Sequence, residues 1–289
     1  MRRTVKRILN SKVTLEGAGV RLKRVFGYNE VPLFDPFLLL DNFGSEDPED
    51  YIKGFPWHPH RGIETVTYML SGEVEHGDSI GNSGVIRSGD IQWMTAGSGI
   101  IHQEMPRRYD ETMQGFQLWV NLPAEEKMIP PKYRGVATDQ IPTVERDGAE
   151  IKVIAGMIDR TMGPVKDLMV AVEYFDVKLA PGKAFECATE RSRNVFAYVF
   201  DGSSLVEDQL IESRQCALFG EGDSVRLGTE RGARFLFVSG RPLNEPVAWG
   251  GPIVMNTQDE LENAFQELRQ GTFIKAGKKV KPSEGFYRT

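Results

Sequence analysis

Short stretches of alternating apolar and polar residues recur along most of the chain, and this is the pattern of half-buried β-strands. The alternation is clear at positions 20–23 and again at 64–70, where Glu, Val, Tyr and Leu occupy the even positions and Thr occupies positions 65 and 67. Because successive side chains of a strand point to opposite faces, each stretch predicts a strand with one buried face. The uninterrupted apolar run Phe37–Leu40 predicts a more deeply buried strand.

Turn-forming residues separate these predicted strands at short, regular intervals. Gly-Asp at 77–78, Gly-Asn at 81–82 and Ser-Gly at 88–89 each favour a tight turn. Short strands with turns about every 10 residues are typical of a β-sandwich or a β-barrel.

The second half of the chain repeats this arrangement. Predicted strands at 170–179, 196–200 and 234–239 follow a similar spacing, and the turn Gly220–Asp223 resembles the turn Arg87–Asp90 of the first half. Similar strand-and-turn units in both halves indicate an internal duplication. We therefore expect an all-β protein with two antiparallel β-barrels.

A proline-rich connection separates the two halves. Prolines at 123, 130, 131 and 142 surround a short charged piece at 124–128. Linkers between domains commonly have this composition, so we place the boundary near residue 135. The expected domains are residues 1–135 and residues 136–289.

One helix is predicted near the carboxyl end, within the second domain. Thr257–Glu260 has the form of a capping box, and apolar residues follow at 261, 264, 265 and 268, which is the spacing of one helix face. Gly271 is placed to end the helix. We expect this helix to cover one face of a barrel.

Composition and charge narrow the class of protein. The 289 residues are 40% hydrophobic and 26% charged, as in globular proteins, and no apolar run approaches the roughly 20 residues that cross a membrane. A net charge of −6 disfavours direct nucleic-acid binding. The basic start of the chain lacks a secretory signal, so we expect a cytoplasmic protein, also nuclear if eukaryotic, with Cys187 and Cys216 reduced.

Three of the four histidines lie in two short pairs, His58-Pro59-His60 and His102-Gln103-Glu104. Residues at i and i+2 of a strand project to the same face. Two such strands in one barrel would bring His58, His60, His102 and Glu104 together as a mononuclear metal centre. The stretch 170–241 contains no histidine, so the second barrel has no comparable set.

The donor set limits the metal. Three imidazoles and a carboxylate, without a thiolate, disfavour structural zinc of the cysteine-rich kind and suit Fe, Mn, Ni, Cu or catalytic Zn. Four protein ligands leave two positions of an octahedron open, as non-haem Fe(II) oxygenases require, so Fe(II) is our first choice.

Residues near the histidine pairs are expected to support the metal centre or to pack around it. If the strand after His58 is continuous, Glu64 shares the metal-facing side and would orient a ligand or act as a base. His76 lies in a turn-rich segment and is expected to be exposed. Nearby aromatic and sulfur side chains are packing residues by default, and some of them would line a pocket for an aromatic substrate. They are Phe55, Trp57, Trp93, Met94, Met105 and Trp119.

The sequences around the histidines resemble the signature of the pirin family within the cupin superfamily. The similar stretches are 58–68, 89–97 and 99–106, and 35–37, 117–122 and 251–257 are similar as well, so the resemblance covers nearly the whole chain. It implies a bicupin fold of two jelly-roll-like barrels, with iron held by His58, His60, His102 and Glu104 in the first. Two departures from the general cupin pattern, the missing glycine six residues before His58 and the use of Glu104 instead of Glu64, are shared with pirins.

The resemblance also implies a function and an alternative. Some pirins resemble quercetin 2,3-dioxygenases, in which a flavonol binds the metal, dioxygen adds across its central ring and carbon monoxide leaves. Nuclear pirins are described as iron- and redox-dependent co-regulators of transcription factors, for which a patch at Arg21, Lys23 and Arg24 would be the candidate protein contact. A cupin isomerase or decarboxylase is a third, weaker hypothesis, favoured only by Mn or Zn.

Overall fold

The computed structural model describes residues 1–277, which form twenty-five β-strands and one α-helix. The strands of the first half are β1 (Val5–Asn10), β2 (Lys12–Glu16), β3 (Val20–Phe26), β4 (Phe37–Phe43), β5 (Phe55–His60), β6 (Ile63–Ser71), β7 (Val74–Asp78), β8 (Ser83–Ile86), β9 (Ile91–Thr95), β10 (Ile100–Pro106), β11 (Gln114–Asn121) and β12 (Lys132–Val136). The elements of the second half are β13 (Thr143–Arg146), β14 (Ala149–Ala155), β15 (Met157–Ile158), β16 (Thr161–Met162), β17 (Val172–Leu179), β18 (Ala184–Ala188), β19 (Asn194–Val206), β20 (Gln209–Glu212), β21 (Gln215–Phe219), β22 (Ser224–Gly228), β23 (Ala233–Gly240), β24 (Ala248–Gly250), β25 (Ile253–Met255) and α1 (Gln258–Gln270).

One compact unit, which we call the histidine unit, comprises Val13–Arg24, Phe37–Thr138 and the chain from Asn244 onward. It contains a seven-stranded sheet in the order β12-β9-β6-β11-β4-β3-β2 and a four-stranded sheet in the order β5-β10-β7-β8. Side chains of the two sheets meet between them, because Thr67 of β6 hydrogen-bonds Glu104 of β10. The interior of this barrel is therefore partly polar.

The other compact unit, which we call the second unit, comprises Met1–Lys12, Val25–Pro36 and Asp139–Leu243. Its sheet follows the order β1-β21-β19-β23-β17-β14-β13, with β18, β20 and β22 attached. Buried aliphatic and aromatic side chains fill its interior, and the Phe185 ring packs edge-on at 5.2 Å from Phe237. The unit thus has an apolar core where the histidine unit has polar side chains.

These units differ from the consecutive domains 1–135 and 136–289 expected from the sequence. The first strand joins the second unit because β1 pairs with β21, with Ile8 opposite Ala217. The carboxyl-terminal segment joins the histidine unit because β25 and α1 pack there, with Ile253 bridged to Arg61. Pairing between strands that are far apart in the sequence cannot be recognised from local composition. The proline-rich linker at 123–142 therefore indicated only one of the points at which the chain passes from one unit to the other.

The predicted helix is confirmed. The Thr257 hydroxyl accepts a hydrogen bond from the Glu260 amide at 3.2 Å, and the Glu260 carboxylate accepts one from the Thr257 amide at 2.9 Å. Gly271 ends the helix with a positive φ of 70°, a conformation that glycine adopts without strain. The apolar face packs on Ile101, Ile253 and other residues of the histidine unit.

One residue of the candidate protein contact at Arg21, Lys23 and Arg24 is engaged in ion pairs within its own unit. The Arg24 guanidinium donates two hydrogen bonds to the Asp41 carboxylate, at 2.9 and 2.8 Å, and also pairs with Glu16 at 2.8 Å. Arg24 is therefore engaged within its own unit and contributes little free charge to a partner surface.

No helix within residues 1–277 has both the length and the apolar character needed to cross a bilayer. Cys187 and Cys216 are free and buried.

Because both thiols are buried, we predict that the native protein reacts slowly with thiol reagents. Burial raises the pKa of Cys187 to about 12 and that of Cys216 further still, and the thiolate is the reactive form. At pH 8 fewer than about one thiol in ten should react with a disulfide reagent within minutes. Both should react at once in concentrated guanidinium chloride, and rapid labelling of either native thiol would contradict this prediction.

Candidate metal centre

Strands β5 and β10 bring the three paired histidines together. The two strands are antiparallel neighbours, and His58 lies directly opposite His102. The ligand atoms of His58, His60 and His102 all lie within 4.8 Å of one another, and the side chains are almost fully buried. The i, i+2 spacing and the strand pairing therefore assemble a compact group of three imidazoles.

Backbone carbonyls set the orientation of two of these rings. His58 Nδ1 lies 2.9 Å from the Pro56 carbonyl oxygen, and His60 Nδ1 lies 3.2 Å from the Pro252 carbonyl oxygen. A carbonyl oxygen only accepts hydrogen bonds, so in both rings Nδ1 must be the donor. A neutral ring with its proton on Nδ1 presents a lone pair at Nε2.

The Nε2 atoms of His58 and His60 face each other at a distance of 3.0 Å. Burial lowers the pKa of His58 to about 4 and the pKa values of His60 and His102 well below the ordinary value, with the neighbouring histidines adding to the effect. Neutral rings leave no proton between the two nitrogens, so two lone pairs point at one place. Among the described residues, neither ring nitrogen of His102 has a hydrogen-bond partner.

These observations fit a bound metal ion. Two nitrogens that each lie about 2.1 Å from one ion, at a right angle, are about 3.0 Å apart. A shared cation would satisfy the facing lone pairs of His58 and His60 and give His102 a partner. The three-histidine cluster is thus compatible with a metal site.

Glu104 lies two residues after His102 and points into the same interior. It is buried, and its Oε1 accepts a hydrogen bond from the Thr67 hydroxyl at 2.8 Å. It stands outside the group whose ligand atoms are mutually within 4.8 Å. Burial raises the pKa of Glu104, although the His76 charge and the Thr67 hydrogen bond oppose this.

A second contact continues the Thr67 hydrogen bond. The Thr67 hydroxyl also lies 2.6 Å from Gln117 Oε1. Gln117 Oε1 and Glu104 Oε1 are both acceptors, so they share the Thr67 hydroxyl as a donor. Thr67 therefore contacts both side chains, and its hydroxyl fixes one carboxylate oxygen of Glu104.

Glu64 lies on the opposite face of β6 from the histidines, which corrects the expectation that it shares their side. That expectation required a continuous strand, but Arg61 and Gly62 interrupt it, with φ of 77° at Gly62. Thr67 faces Glu104, so by alternation the even residues of β6 face away. Glu64 accepts a hydrogen bond from Thr95 at 2.6 Å instead.

The residues expected to line the substrate pocket lie on different faces of their strands. The Phe55 ring lies 6.4 Å from the His58 ring. Trp93 is fully buried and pairs with Val66, on the face of the sheet that Glu64 occupies. Trp57 packs in the apolar cluster beneath α1. Trp57 and Met105 alternate with the histidines and Glu104 along β5 and β10, so both point away from the imidazoles.

Two partly exposed tryptophans lie beside the histidines: Trp119, which was expected to be either a packing or a pocket residue, and Trp249, which was not predicted. The Trp119 ring is perpendicular to the His60 ring at 5.1 Å, and the Trp249 ring lies 5.8 Å from Trp119. Trp119 faces the histidines because it pairs with Thr65, which shares the face of Thr67. The alternation along β11 contained this signal, whereas Trp249 comes from a distant segment that no local pattern links to the site.

His76 is buried, and the expectation that it is exposed was wrong. Its Nε2 lies 3.3 Å from the Asp78 carboxylate, its Nδ1 lies 2.9 Å from the Gln92 amide, and its ring stacks on Tyr133 at 4.8 Å. The ring centre is 5.6 Å from that of His102. His76 and Asp78 have the same i, i+2 spacing as the other two pairs, and that spacing was the available signal.

Comparison with known proteins places this geometry in context. The family model described as Pirin matches residues 19–120, and the model described as Pirin C-terminal cupin domain matches residues 174–274. A pirin-like protein of Caulobacter vibrioides is 46% identical over 273 residues, which cover 94% of this chain and 99% of that protein. The pirin of Homo sapiens is 39% identical over 266 residues, which cover 90% of each chain.

A solved structure agrees over almost the full length. The crystal structure of a quercetin 2,3-dioxygenase from Acinetobacter baumannii superimposes with a TM-score of 0.87 at 33% identity, covering 94% of this chain and 99% of that one. Together with the family match to the second cupin domain, this confirms the predicted all-β fold of two barrels with a carboxyl-terminal helix.

Glu64 provides a prediction about stability and pH. Burial raises its folded-state pKa, although hydrogen bonds, that from Thr95 first, and the Arg134 charge oppose this. A carboxyl of this kind stabilises the fold fully below its unfolded pKa, and that contribution is lost as pH rises through the folded pKa. Glu64→Gln keeps an acceptor for Thr95 and cannot ionise. Between pH 5 and pH 8, the parent should therefore lose more unfolding free energy than Glu64→Gln.

The measurement is urea unfolding of chelator-treated protein across that range. Glu262→Gln, which removes an exposed carboxylate from α1, is the matched control and should follow the parent. Parallel curves for the parent and Glu64→Gln would show that Glu64 does not carry a raised pKa.

Proposed function

Because the chain belongs to the pirin family, we propose that it is an iron-dependent dioxygenase that opens flavonols such as quercetin with dioxygen. The ligands in this proposal are His58, His60, His102 and Glu104. The observation that carries it is the convergence of buried, neutral imidazoles whose Nε2 lone pairs face one another at 3.0 Å. The likeness to the quercetin 2,3-dioxygenase of Acinetobacter baumannii supports the choice of reaction.

The donor set supports Fe(II) as the metal, with Mn, Ni, Cu and Zn as the other candidates. A bound iron would supply open positions at which a flavonol oxygen and dioxygen meet. The protein supplies a rigid, water-poor enclosure, since the three histidines are each less than 7% exposed. Neutral imidazoles are ready to bind without first losing a proton.

Two carboxylates are candidates for accepting the proton of the flavonol 3-hydroxyl. Glu64 hydrogen-bonds Thr95 on the far face of β6, whereas Glu104 points into the interior with the imidazoles. We therefore assign the proton-accepting role, expected of Glu64 from the sequence, to Glu104.

The partly exposed indoles suit a flat aromatic substrate. Trp119 lies against His60, and Trp249 lies against Trp119. Aromatic side chains favour stacked or edge-to-face contacts with other rings. In this proposal Trp249 joins Trp119 and Phe55 as the residues that contact the substrate, in place of Trp57, Trp93 and Met105.

The direct test incubates the iron-loaded protein with quercetin under air. Quercetin absorbance should fall, and carbon monoxide should appear in equal amount. His58→Ala, which removes one ligand nitrogen, should lower both to background, and metal analysis of each sample records its iron content. If the iron-loaded parent consumes no quercetin and releases no carbon monoxide, or if His58→Ala matches it, the proposal fails.

A separate prediction concerns Glu104 as the fourth ligand. Thr67→Val removes the hydroxyl that fixes Glu104 but keeps the side-chain shape. Loss of such a supporting hydrogen bond weakens metal binding about 10–100-fold, so the dissociation constant for Ni²⁺ should rise by that factor in calorimetric titration.

Thr95→Val is the matched control, because Thr95 donates a similar hydrogen bond to a buried carboxylate, Glu64, on the opposite face. Its Ni²⁺ affinity should remain within about threefold of the parent, well below the ten-fold change given for a supporting hydrogen bond. Equal losses in both variants would indicate a general loss of stability in place of a specific effect on Glu104.

A further inference from the structure

The last residue of β5 and the two residues that follow it contact one carboxyl-terminal segment. We call Pro252–Phe273, which includes β25 and α1, the C-terminal clamp. His60, Arg61 and Gly62 each bind it, directly or through one other side chain. All of these residues belong to the histidine unit.

A backbone carbonyl of the clamp contacts a candidate metal ligand. The Pro252 carbonyl oxygen accepts the hydrogen bond from His60 Nδ1 at 3.2 Å. With the proton held on Nδ1, the lone pair of His60 stays on Nε2, toward His58. In the other tautomer Nε2 would carry the proton and could not bind a metal.

The neighbouring backbone continues this contact. The Val254 amide donates to the Arg61 carbonyl oxygen at 3.1 Å, and Ile253 forms a parallel bridge with Arg61. Gly62 allows the close approach, because a Cβ at this position would overlap the Val254 carbonyl oxygen. The position of Pro252 is therefore determined by backbone pairing on its carboxyl-terminal side.

The Arg61 side chain holds the far end of the clamp. Its guanidinium is almost fully buried and donates to the Glu267 carboxylate at 2.7 Å and to the Phe273 carbonyl oxygen at 2.9 Å. It also lies 4.2 Å from the centre of the Phe273 ring. One side chain thus binds both α1 and the residues that follow it.

A buried ammonium holds the near end. Lys127 Nζ donates to the Gly62 carbonyl oxygen at 2.9 Å, to Asn121 Oδ1 at 2.7 Å and to the Val254 carbonyl oxygen at 3.1 Å. Its three donors meet three acceptors, so the ammonium is fully satisfied although it is only 1% exposed. It joins the turn after His60 to the strand that follows Pro252.

We propose that the C-terminal clamp is a positioning element of the metal centre, with the Pro252 carbonyl as the group that orients His60 and with Arg61 and Lys127 holding it in place. Metal binding and clamp docking then stabilise each other, because a coupling between two events acts equally in both directions. The inference rests on the proposed metal site but not on dioxygenase activity.

The first test measures amide hydrogen exchange of the full-length, chelator-treated protein with and without Ni²⁺. Exchange at Val254 and along α1 should slow at least tenfold when the metal is added. Amides of β17 and β23 in the second unit serve as the internal control and should not change. If Ni²⁺ slows exchange around His58 and His102 but leaves Val254 and α1 unchanged, the coupling does not exist. If Ni²⁺ does not bind, the metal site itself is wrong.

The second test measures the Ni²⁺ dissociation constant of clamp variants. Lys127→Met should raise it about 10–100-fold, as for other groups that orient a ligand, and Glu267→Gln should raise it more modestly, about threefold to tenfold. Glu262→Gln is the matched control and should bind like the parent, because Glu262 is an exposed residue of the same helix whose carboxylate accepts a hydrogen bond from Gln258.

Glu267 is partly exposed, so Glu267→Gln should fold even if Lys127→Met does not. Parent-like Ni²⁺ affinity in Glu267→Gln, together with unchanged exchange of α1, would overturn the proposal. Because neither test uses quercetin, failure of the dioxygenase activity and failure of the clamp are separate outcomes.

Discussion

The centre of the histidine unit depends on one electrostatic arrangement, the meeting of lone pairs from neutral imidazoles in a buried space. His58 and His60 each give their Nδ1 proton to a backbone carbonyl, and their Nε2 atoms then face each other at 3.0 Å. Two lone pairs that face each other in a buried space repel, and a cation between them removes that repulsion. The surrounding strands therefore hold an arrangement that is compatible with a bound metal ion.

The two buried carboxylates near this centre illustrate how strand faces assign chemistry. Glu64 and Glu104 each accept a hydrogen bond from a threonine hydroxyl, Thr95 and Thr67 respectively, and burial raises both pKa values. Their environments are similar, yet only Glu104 points between the two sheets of the barrel. The interruption of the strand at Gly62 reverses which residues of β6 face inward. Glu64 and Glu104 are the same residue type, so their different environments follow from where each lies relative to the interruption of the strand.

The sequence pattern predicted the fold and much of the site because both depend on local spacing. The i, i+2 pairs were enough to bring His58, His60 and His102 together, and the capping box was enough to define α1. Features that depend on contacts between distant segments were not accessible in this way. The transfer of β1 to the second unit, the position of Trp249 and the bond from His60 to Pro252 each join residues far apart in the chain. No short stretch of sequence contains both residues of any of these contacts.

The hydrogen bond between His60 and the Pro252 carbonyl has a consequence for the synthesis of the protein. Its partners are 192 residues apart, and chains grow at about 5–20 residues per second. Roughly 10–40 seconds therefore pass between translation of the ligand strand and translation of the carbonyl that orients its imidazole. During that interval the histidines can be present without their final tautomer being imposed. The hydrogen bond that orients His60 therefore forms only after β25 has been synthesised.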